Sequence, residues 1–171
     1  MKLLRYGARG REKPGIVDSN GSVRDLSAHM PDIAGDFLRD EALAKIAALD
    51  LSALPEVKVD RYGPCVGQVG KFICIGLNYS DHAAESGLQV PPEPVIFAKA
   101  TSAICGPNDD IEIPRGSTAT DWEVELGVVI GRHAKYVDEA EALDHGAGYC
   151  LVNDVPERDF QNKRAGQRTK G

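Results

Sequence analysis

The chain has 171 residues, 42% hydrophobic and 27% charged, with 20 Lys and Arg against 26 Asp and Glu for a formal net charge of −6. This profile fits a globular protein with room for one domain and a small appendage. The negative charge argues against nucleic acid or an anionic membrane as the main partner, and 6% aromatics are too few for a base-stacking platform.

The N-terminal stretch MKLLRYGARGREKPG breaks into charge and glycine after two leucines. It has no apolar core of the kind a secretory leader needs. Strands are expected at Lys2–Tyr6, Gly15–Val17 and Ser22–Leu26, with Ser19-Asn20-Gly21 as a hairpin turn. A helical segment is expected over Ile33–Leu49, where Phe37, Leu38, Ile46 and Leu49 suit one buried face. Pro55 ends that region, and Tyr62-Gly63-Pro64 reads as a loop, which sets a domain boundary near residue 65. Beyond it the texture is strand and loop. Strands are expected at Lys71–Ile75, Pro94–Ala98, Ile111–Ile113, Glu123–Ile130 and Gly148–Val152, with helical turns at Ser80–Ser86 and Asp138–Leu143. The polar, basic stretch Gln161–Gly171 has no apolar face. The four cysteines, Cys65, Cys74, Cys105 and Cys150, include no CxxC pair, so no zinc ribbon or redox motif can be drawn from them. Cys74 and Cys150 lie in apolar runs and read as small buried hydrophobes, and a reduced, cytoplasmic setting fits.

Three segments carry candidate chemistry. In Asp121-Trp122-Glu123-Val124-Glu125-Leu126 the two glutamates share one side of a strand. Carboxylates converging to about 6 Å repel by roughly 3 kcal/mol at an effective dielectric near 20. Such a pair is either solvated or neutralised by a cation. In Asn153-Asp154-Val155-Pro156-Glu157-Arg158, Asp154 can cap a helix with Glu157 at the capping-box position. Alternatively it supplies a third carboxylate, and an all-oxygen site of this kind suits Mg²⁺ or Mn²⁺ over Zn²⁺. In Asn78-Tyr79-Ser80-Asp81-His82-Ala83-Ala84-Glu85, His82 and Glu85 are neighbours on a helical turn. They are either a surface ion pair or a general base with its orienting carboxylate. His29, His133 and His145 have no such context and read as surface residues.

Taken together, Ile75–Gly87, Pro94–Pro107, Asp121–Gly131 and Gly148–Gln161 resemble the fumarylacetoacetate hydrolase family. Pro64-Cys65-Val66-Gly67 and Gly70-Lys71-Phe72-Ile73 look like its bacterial branch, whose members are labelled 2,4-diketo-3-deoxy-L-fuconate hydrolase, ureidoglycolate lyase or 2-hydroxyhepta-2,4-diene-1,7-dioate isomerase. The resemblance implies a β-rich α+β fold. A small N-terminal α/β domain over residues 1–65 would precede an incomplete fumarylacetoacetate-hydrolase-type mixed β-sheet domain over 66–171. It implies Mg²⁺ or Mn²⁺ on Glu123, Glu125 and Asp154, water activation by His82 and Glu85, and substrate contacts from Lys99, Arg158 and Gln161.

The implied activity is metal-dependent cleavage of a C–C bond in a 2,4-dioxo acid by a homodimer whose partner is a small 2-oxo acid, with neither nucleic acid nor membrane involved. An isomerase or decarboxylase using the same chelate, and an inactive metal-binding remnant, are the alternatives. Family members continue past the stretch matching Ala165–Gly171, so the chain is expected to be C-terminally truncated. Lys170-Gly171 matches the first half of a Lys-Gly-Lys-Gly element that carries a catalytic lysine, and Arg168 stands where an aromatic is common.

Overall fold

A computed structural model gives the fold. It describes all residues except Ser86, Leu88, Gln167, Arg168 and Lys170, and for His82 it describes the backbone alone. Arg168 and Lys170, noted above, therefore lie outside the described residues.

In chain order the strands are β1 (Lys2–Tyr6), β2 (Lys13–Val17), β3 (Val23–Asp25), β4 (Glu56–Val57), β5 (Phe72–Gly76), β6 (Val95–Lys99), β7 (Val124–Ile130) and β8 (Gly146–Asn153). The α-helices are short: α1 (Asp40–Ala47), α2 (Ser80–Glu85) and α3 (Glu139–Ala142). Strands β1 to β4 form one antiparallel sheet in sequence order, and β5–β6 and β7–β8 form two antiparallel pairs. The architecture is the β-rich α+β arrangement expected from the sequence. Among the described residues, no helix is long and apolar enough to cross a membrane.

The expected elements differ from the observed ones in two places. The long helix over Ile33–Leu49 is a 3₁₀ turn at Gly35–Leu38 followed by α1. Arg39 between them is extended (φ −75°, ψ 154°), and Gly35 enters the turn at a φ of +54°, so the helical dihedrals do not run through. Ile33 is buried in the core from a loop. Ile111–Ile113 forms no strand; Ile111 and Ile113 are 50% and 57% exposed.

The chain divides into two compact units. The first comprises Met1–Gln68, Cys105–Glu112 and Glu123–Asp154; the second comprises Val69–Ile104, Ile113–Trp122 and Val155–Gly171. The core of the first unit is Ile16, Leu26, Met30, Ile33 and Ile46, with Leu3, Phe37, Leu38, Leu49, Leu51, Leu54 and Val66 packed around it. The β2–β3 turn forms where the sequence predicts it. The Asp18 carboxylate accepts from the Asn20 and Ser22 N–H groups (2.9 and 3.0 Å) and from Arg24 Nε (2.8 Å). Gly21 supplies the left-handed residue at φ +85°.

A chain of ion pairs holds the rest of this unit. Arg61 donates to both Asp109 oxygens (2.7 and 2.6 Å) and to Glu12 Oε1 (3.0 Å), and Arg5 donates to both Asp32 oxygens (2.6 and 3.1 Å). The Arg61 guanidinium, first of all, holds the Asp109 carboxyl down at about 2. Burial opposes ionisation of Glu12, but hydrogen bonds from its own N–H, from Arg61 and from Gly10, with the charge of Arg5 nearby, keep it below the ordinary carboxylate range. Both folded pKa values are depressed. Their stabilisation is therefore complete above the unfolded values and is lost as pH falls through the folded ones. Urea midpoints are expected to drop between about pH 6 and about pH 2.5, and Asp109→Asn should shrink that drop while lowering the midpoint at the higher pH.

Candidate active site

Strand alternation decides which side chains share a surface on β7. Glu125, Gly127 and Val129 are half-buried, whereas Val124, Leu126, Val128 and Ile130 are exposed. Glu123, one residue before the strand, keeps the parity of Glu125 and is also half-buried. In the antiparallel pairing Val152 lies opposite Glu125 and Asn153 opposite Val124. The ladder then continues one step: the Asp154 N–H donates to the Glu123 carbonyl (2.9 Å), and Asn153 Oδ1 accepts from the Glu123 N–H (3.2 Å). Glu123, Glu125 and half-buried Asp154 thus come from one end of one hairpin, all within the first unit.

As donors these three residues are hard oxygen ligands, the type that Mg²⁺ and Mn²⁺ take. Among the described residues, no three His, Cys, Asp or Glu side chains close into a group able to hold a metal ion. The backbone therefore brings the three carboxylates to adjacent positions, and their side chains are not drawn to one point. A hollow of about 430 Å³ beside α1, lined by residues such as His29, Phe37, Ile46 and Leu49, includes none of the candidate residues.

The second unit carries the remaining candidates. Lys99 ends β6 and donates to the Val155 carbonyl (3.3 Å). Glu85 is exposed at the end of α2. The His82 backbone lies in the same helix, and its side chain is outside the described residues. Arg158 precedes a π-helical turn, Asp159–Lys163. Its Nε and Nη2 donate to Asp121 Oδ2 (3.1 and 3.0 Å), and its Nη1 donates to Gln161 Oε1 (3.5 Å). The Trp122 N–H and then Arg158 hold the Asp121 carboxyl below its ordinary range. Arg158 and Gln161 are thus brought together, with Asp121 behind the guanidinium.

Asp154 is not a helix cap: among the described residues the next helical element is the π-helical turn Asp159–Lys163, five positions on. The capping is done by Glu157, 4% exposed, which sequence reasoning placed only in a capping box. Its Oε2 accepts from the Phe160 N–H (2.7 Å). Its Oε1 accepts from Ser117 Oγ (3.1 Å), the Thr118 N–H (3.3 Å) and the Ala119 N–H (2.9 Å). Burial opposes its ionisation, and these donors outweigh that and hold it below the usual carboxylate range. Nothing local in the sequence links residue 157 to residues 117–119. His145 also differs from the surface residue expected: it is half-buried, and its Nδ1 is enclosed without a hydrogen-bond partner.

Residues 71–171 match the family described as fumarylacetoacetate (FAA) hydrolase C-terminal. The chain belongs to the fumarylacetoacetate hydrolase family. A Burkholderia ambifaria protein provisionally named a hydrolase is 66% identical over 172 residues, covering 100% of this chain and 61% of the relative. The chain thus spans about 61% of the length of the curated relatives it matches. The fumarylacetoacetate hydrolase of psychrophilic Exiguobacterium antarcticum superposes with a TM-score of 0.78 at 30% identity, covering 100% of this chain and 62% of that one. A 2-hydroxyhepta-2,4-diene-1,7-dioate isomerase from Mycobacterium marinum gives 0.69 at 28% identity, covering 100% and 61%. Maleylpyruvate hydrolase from Sphingobium sp. SYK-6, solved with manganese(II) and pyruvate, shares the fold at a TM-score of 0.72 and 23% identity, covering 92% and 60%.

Glu157→Ala removes the acceptor for four donors, on Ser117, Thr118, Ala119 and Phe160. A buried donor left unpaired costs its desolvation. Calorimetry is expected to show a Tm several degrees lower, with faster amide exchange at Thr118, Ala119 and Phe160. Glu157→Gln, which keeps one acceptor oxygen, should fall between the two.

Proposed function

We propose that these residues belong to a metal-dependent hydrolase that cleaves a C–C bond in a 2,4-dioxo acid of the acylpyruvate or 2,4-diketo-3-deoxy sugar acid type. The observation that carries this reading is the hairpin end where Glu123, Glu125 and Asp154 occupy adjacent, half-buried positions. Glu123, Glu125 and Asp154 would hold Mg²⁺ or Mn²⁺; on this fold, the Sphingobium neighbour is the precedent for manganese with a 2-oxo acid. When bound, the ion supplies positive charge that stabilises the enolate leaving group. His82 would take a proton from the attacking water at an imidazole nitrogen, with Glu85, three positions on in the same helix, as its companion carboxylate. Lys99 supplies a cation to the reacting substrate, and Arg158 and Gln161 bind its carboxylate or hydroxyl oxygens. Asp121 orients Arg158 through two hydrogen bonds to one carboxylate oxygen.

The start of the family match at residue 71 supports a catalytic body beginning near 66, after a small domain over 1–65. A homodimer of the full-length protein in the cytoplasm completes the proposal.

A second reading is isomerisation of a 2-hydroxy-dienoate using the same carboxylates and no attacking water. The Mycobacterium marinum neighbour favours it. A third is metal binding without turnover.

Isothermal titration of the 171-residue chain with Mn²⁺ is expected to show binding that Glu125→Ala abolishes, because two carboxylates are too few hard ligands to hold the ion against water. Unchanged affinity in the variant would overturn the metal assignment. In a protein of the relatives' full length, His82→Ala should keep Mn²⁺ binding and slow acetylpyruvate cleavage by roughly 10²–10⁴-fold, the scale of general-base catalysis. A parental rate would remove His82 from the mechanism. Double-bond migration without cleavage would select the isomerase.

A further inference from the structure

In the second unit, two stretches about 40 residues apart in the chain are stitched into one frame around Arg158. The Arg158 N–H donates to the Ala119 carbonyl (2.9 Å) and the Asp121 N–H donates to the Pro156 carbonyl (3.0 Å), on either side of an antiparallel bridge between Thr120 and Glu157. Glu157 closes this frame from within. One of its oxygens gathers Ser117 Oγ and the Thr118 and Ala119 N–H groups, and the other takes the Phe160 N–H. Ser117 Oγ also lies 2.7 Å from Thr120 Oγ1, which ties the loop to itself. The Glu157 carbonyl accepts from the Gln161 N–H (2.9 Å), so residue 157 also anchors the π-helical turn that carries Gln161. Irregular helical turns of this kind recur at functional sites.

We propose that Glu157 is a positioning residue for substrate recognition: through loop 117–121 it places Asp121, and through Asp121 it fixes the direction in which Arg158 offers its guanidinium. The proposal rests on the reading above in which Arg158 contacts the substrate.

Exposure shows why the frame is needed. The Arg158 side chain is 33% exposed and that of Asp121 is 45% exposed. An ion pair this open holds a long side chain weakly by itself. Yet Arg158 Nε and Nη2 both meet the same Asp121 oxygen, and Nη1 meets Gln161. Such a two-pronged approach depends on where the backbone puts residue 121 relative to residue 158. Four backbone and side-chain donors converge on Glu157 to set that separation, and three of them belong to the loop that leads into Asp121. A buried carboxylate is costly to place. Here it is enclosed at the one position adjacent in sequence to the arginine, with the guanidinium turned outward and the carboxylate turned in. Small errors in the placement of a binding group are expensive for turnover at low substrate, because binding is lost before chemistry begins.

The orientation is measured first, without substrate. In the nitrogen-15-labelled 171-residue chain, the Arg158 Nε–H is expected to give a protected NMR signal. Arg61 and Arg5, whose Nε–H groups are held by Asp109 and Asp32 (2.7 and 2.6 Å), serve as internal references in the first unit. In Glu157→Gln, exchange of the Arg158 Nε–H should rise by roughly tenfold or more, approaching Asp121→Asn, which releases the guanidinium directly, while the two reference signals stay as they were. Loss of the reference signals would mean an unfolded variant; Ser117→Ala, which removes one of the donors on Glu157, then takes its place and should show a smaller change in the same direction. An unchanged Arg158 signal in the folded variant would overturn the proposal. Recognition is read next, in the Mn²⁺-loaded protein of the relatives' full length. Glu157→Gln should raise the KM for acetylpyruvate roughly tenfold and leave kcat within about twofold. That rise should vanish in an Arg158→Ala background, which a merely structural role would not produce. A lower kcat at unchanged KM, or a rise that persists without Arg158, would overturn the positioning role. Arg158→Ala with the parental KM would instead remove Arg158 from substrate binding, and with it the reading on which the proposal rests.

Discussion

The bridge that Arg61 makes to Asp109 and Glu12 joins three stretches of chain that are distant in sequence. It is an expensive way to join them. Guanidinium and carboxylates leave water on folding, and their attraction offsets that loss only because the geometry is two-pronged and further donors complete it. The Gly106 N–H supplies one such donor to Asp109 (2.8 Å), and the Gly7 carbonyl accepts from Arg61 Nη1 (2.9 Å). With that bridge in place, the backbone around residues 62–67 has nowhere to go. Gly63 and Gly67 are pressed against Glu12 and Asp32, and Val66 is delivered to the hydrophobic core. Breaking one partner would strand a charge in a partly buried setting, which is costlier than never having placed it there.

The β7–β8 pair follows a different constraint. Period-two alternation sends Glu123 and Glu125 to one side and Val124, Leu126, Val128 and Ile130 to the other. In the first unit the aliphatic side is the one facing solvent: Leu126 is 64% and Leu151 81% exposed. The same holds in the second unit, where Ile73, Ile75 and Ile96 share the outward side of β5–β6. Glu123 and Glu125 lie on the half-buried side of that arrangement.

Much of this was legible in the sequence. β1 lies where alternation and turn residues put it, and the Asp18–Ser22 turn forms around its asparagine and glycine. The order of the carboxylate, helix and strand-end segments sufficed to recognise the family. Two things were not legible, each for a physical reason. The helix over 33–49 breaks because Gly35 and Arg39 take non-helical dihedrals, and apolar spacing alone does not reveal this. Glu157 looked like a local cap, yet most of its hydrogen bonds reach across about 40 residues to a loop that has no sequence signature of needing an acceptor. Long-range pairings of that kind are set by tertiary structure, which a linear pattern does not encode.

The interleaving of the two units bears on how the chain is made. It passes from one unit to the other five times, at residues 68, 104, 112, 122 and 154. Neither unit is a contiguous stretch, so neither is finished early in synthesis. The sheet of β1 to β4 can assemble as soon as residue 57 has left the ribosome, but Arg61 must wait for Asp109, and the first unit is not complete until residue 154 emerges. At roughly 5–20 residues per second, that leaves the nascent N-terminal sheet several seconds without its later partners. The order of translation thus imposes a holding period on the ion-pair clamp, during which Arg61 has Glu12 but not yet Asp109 to pair with.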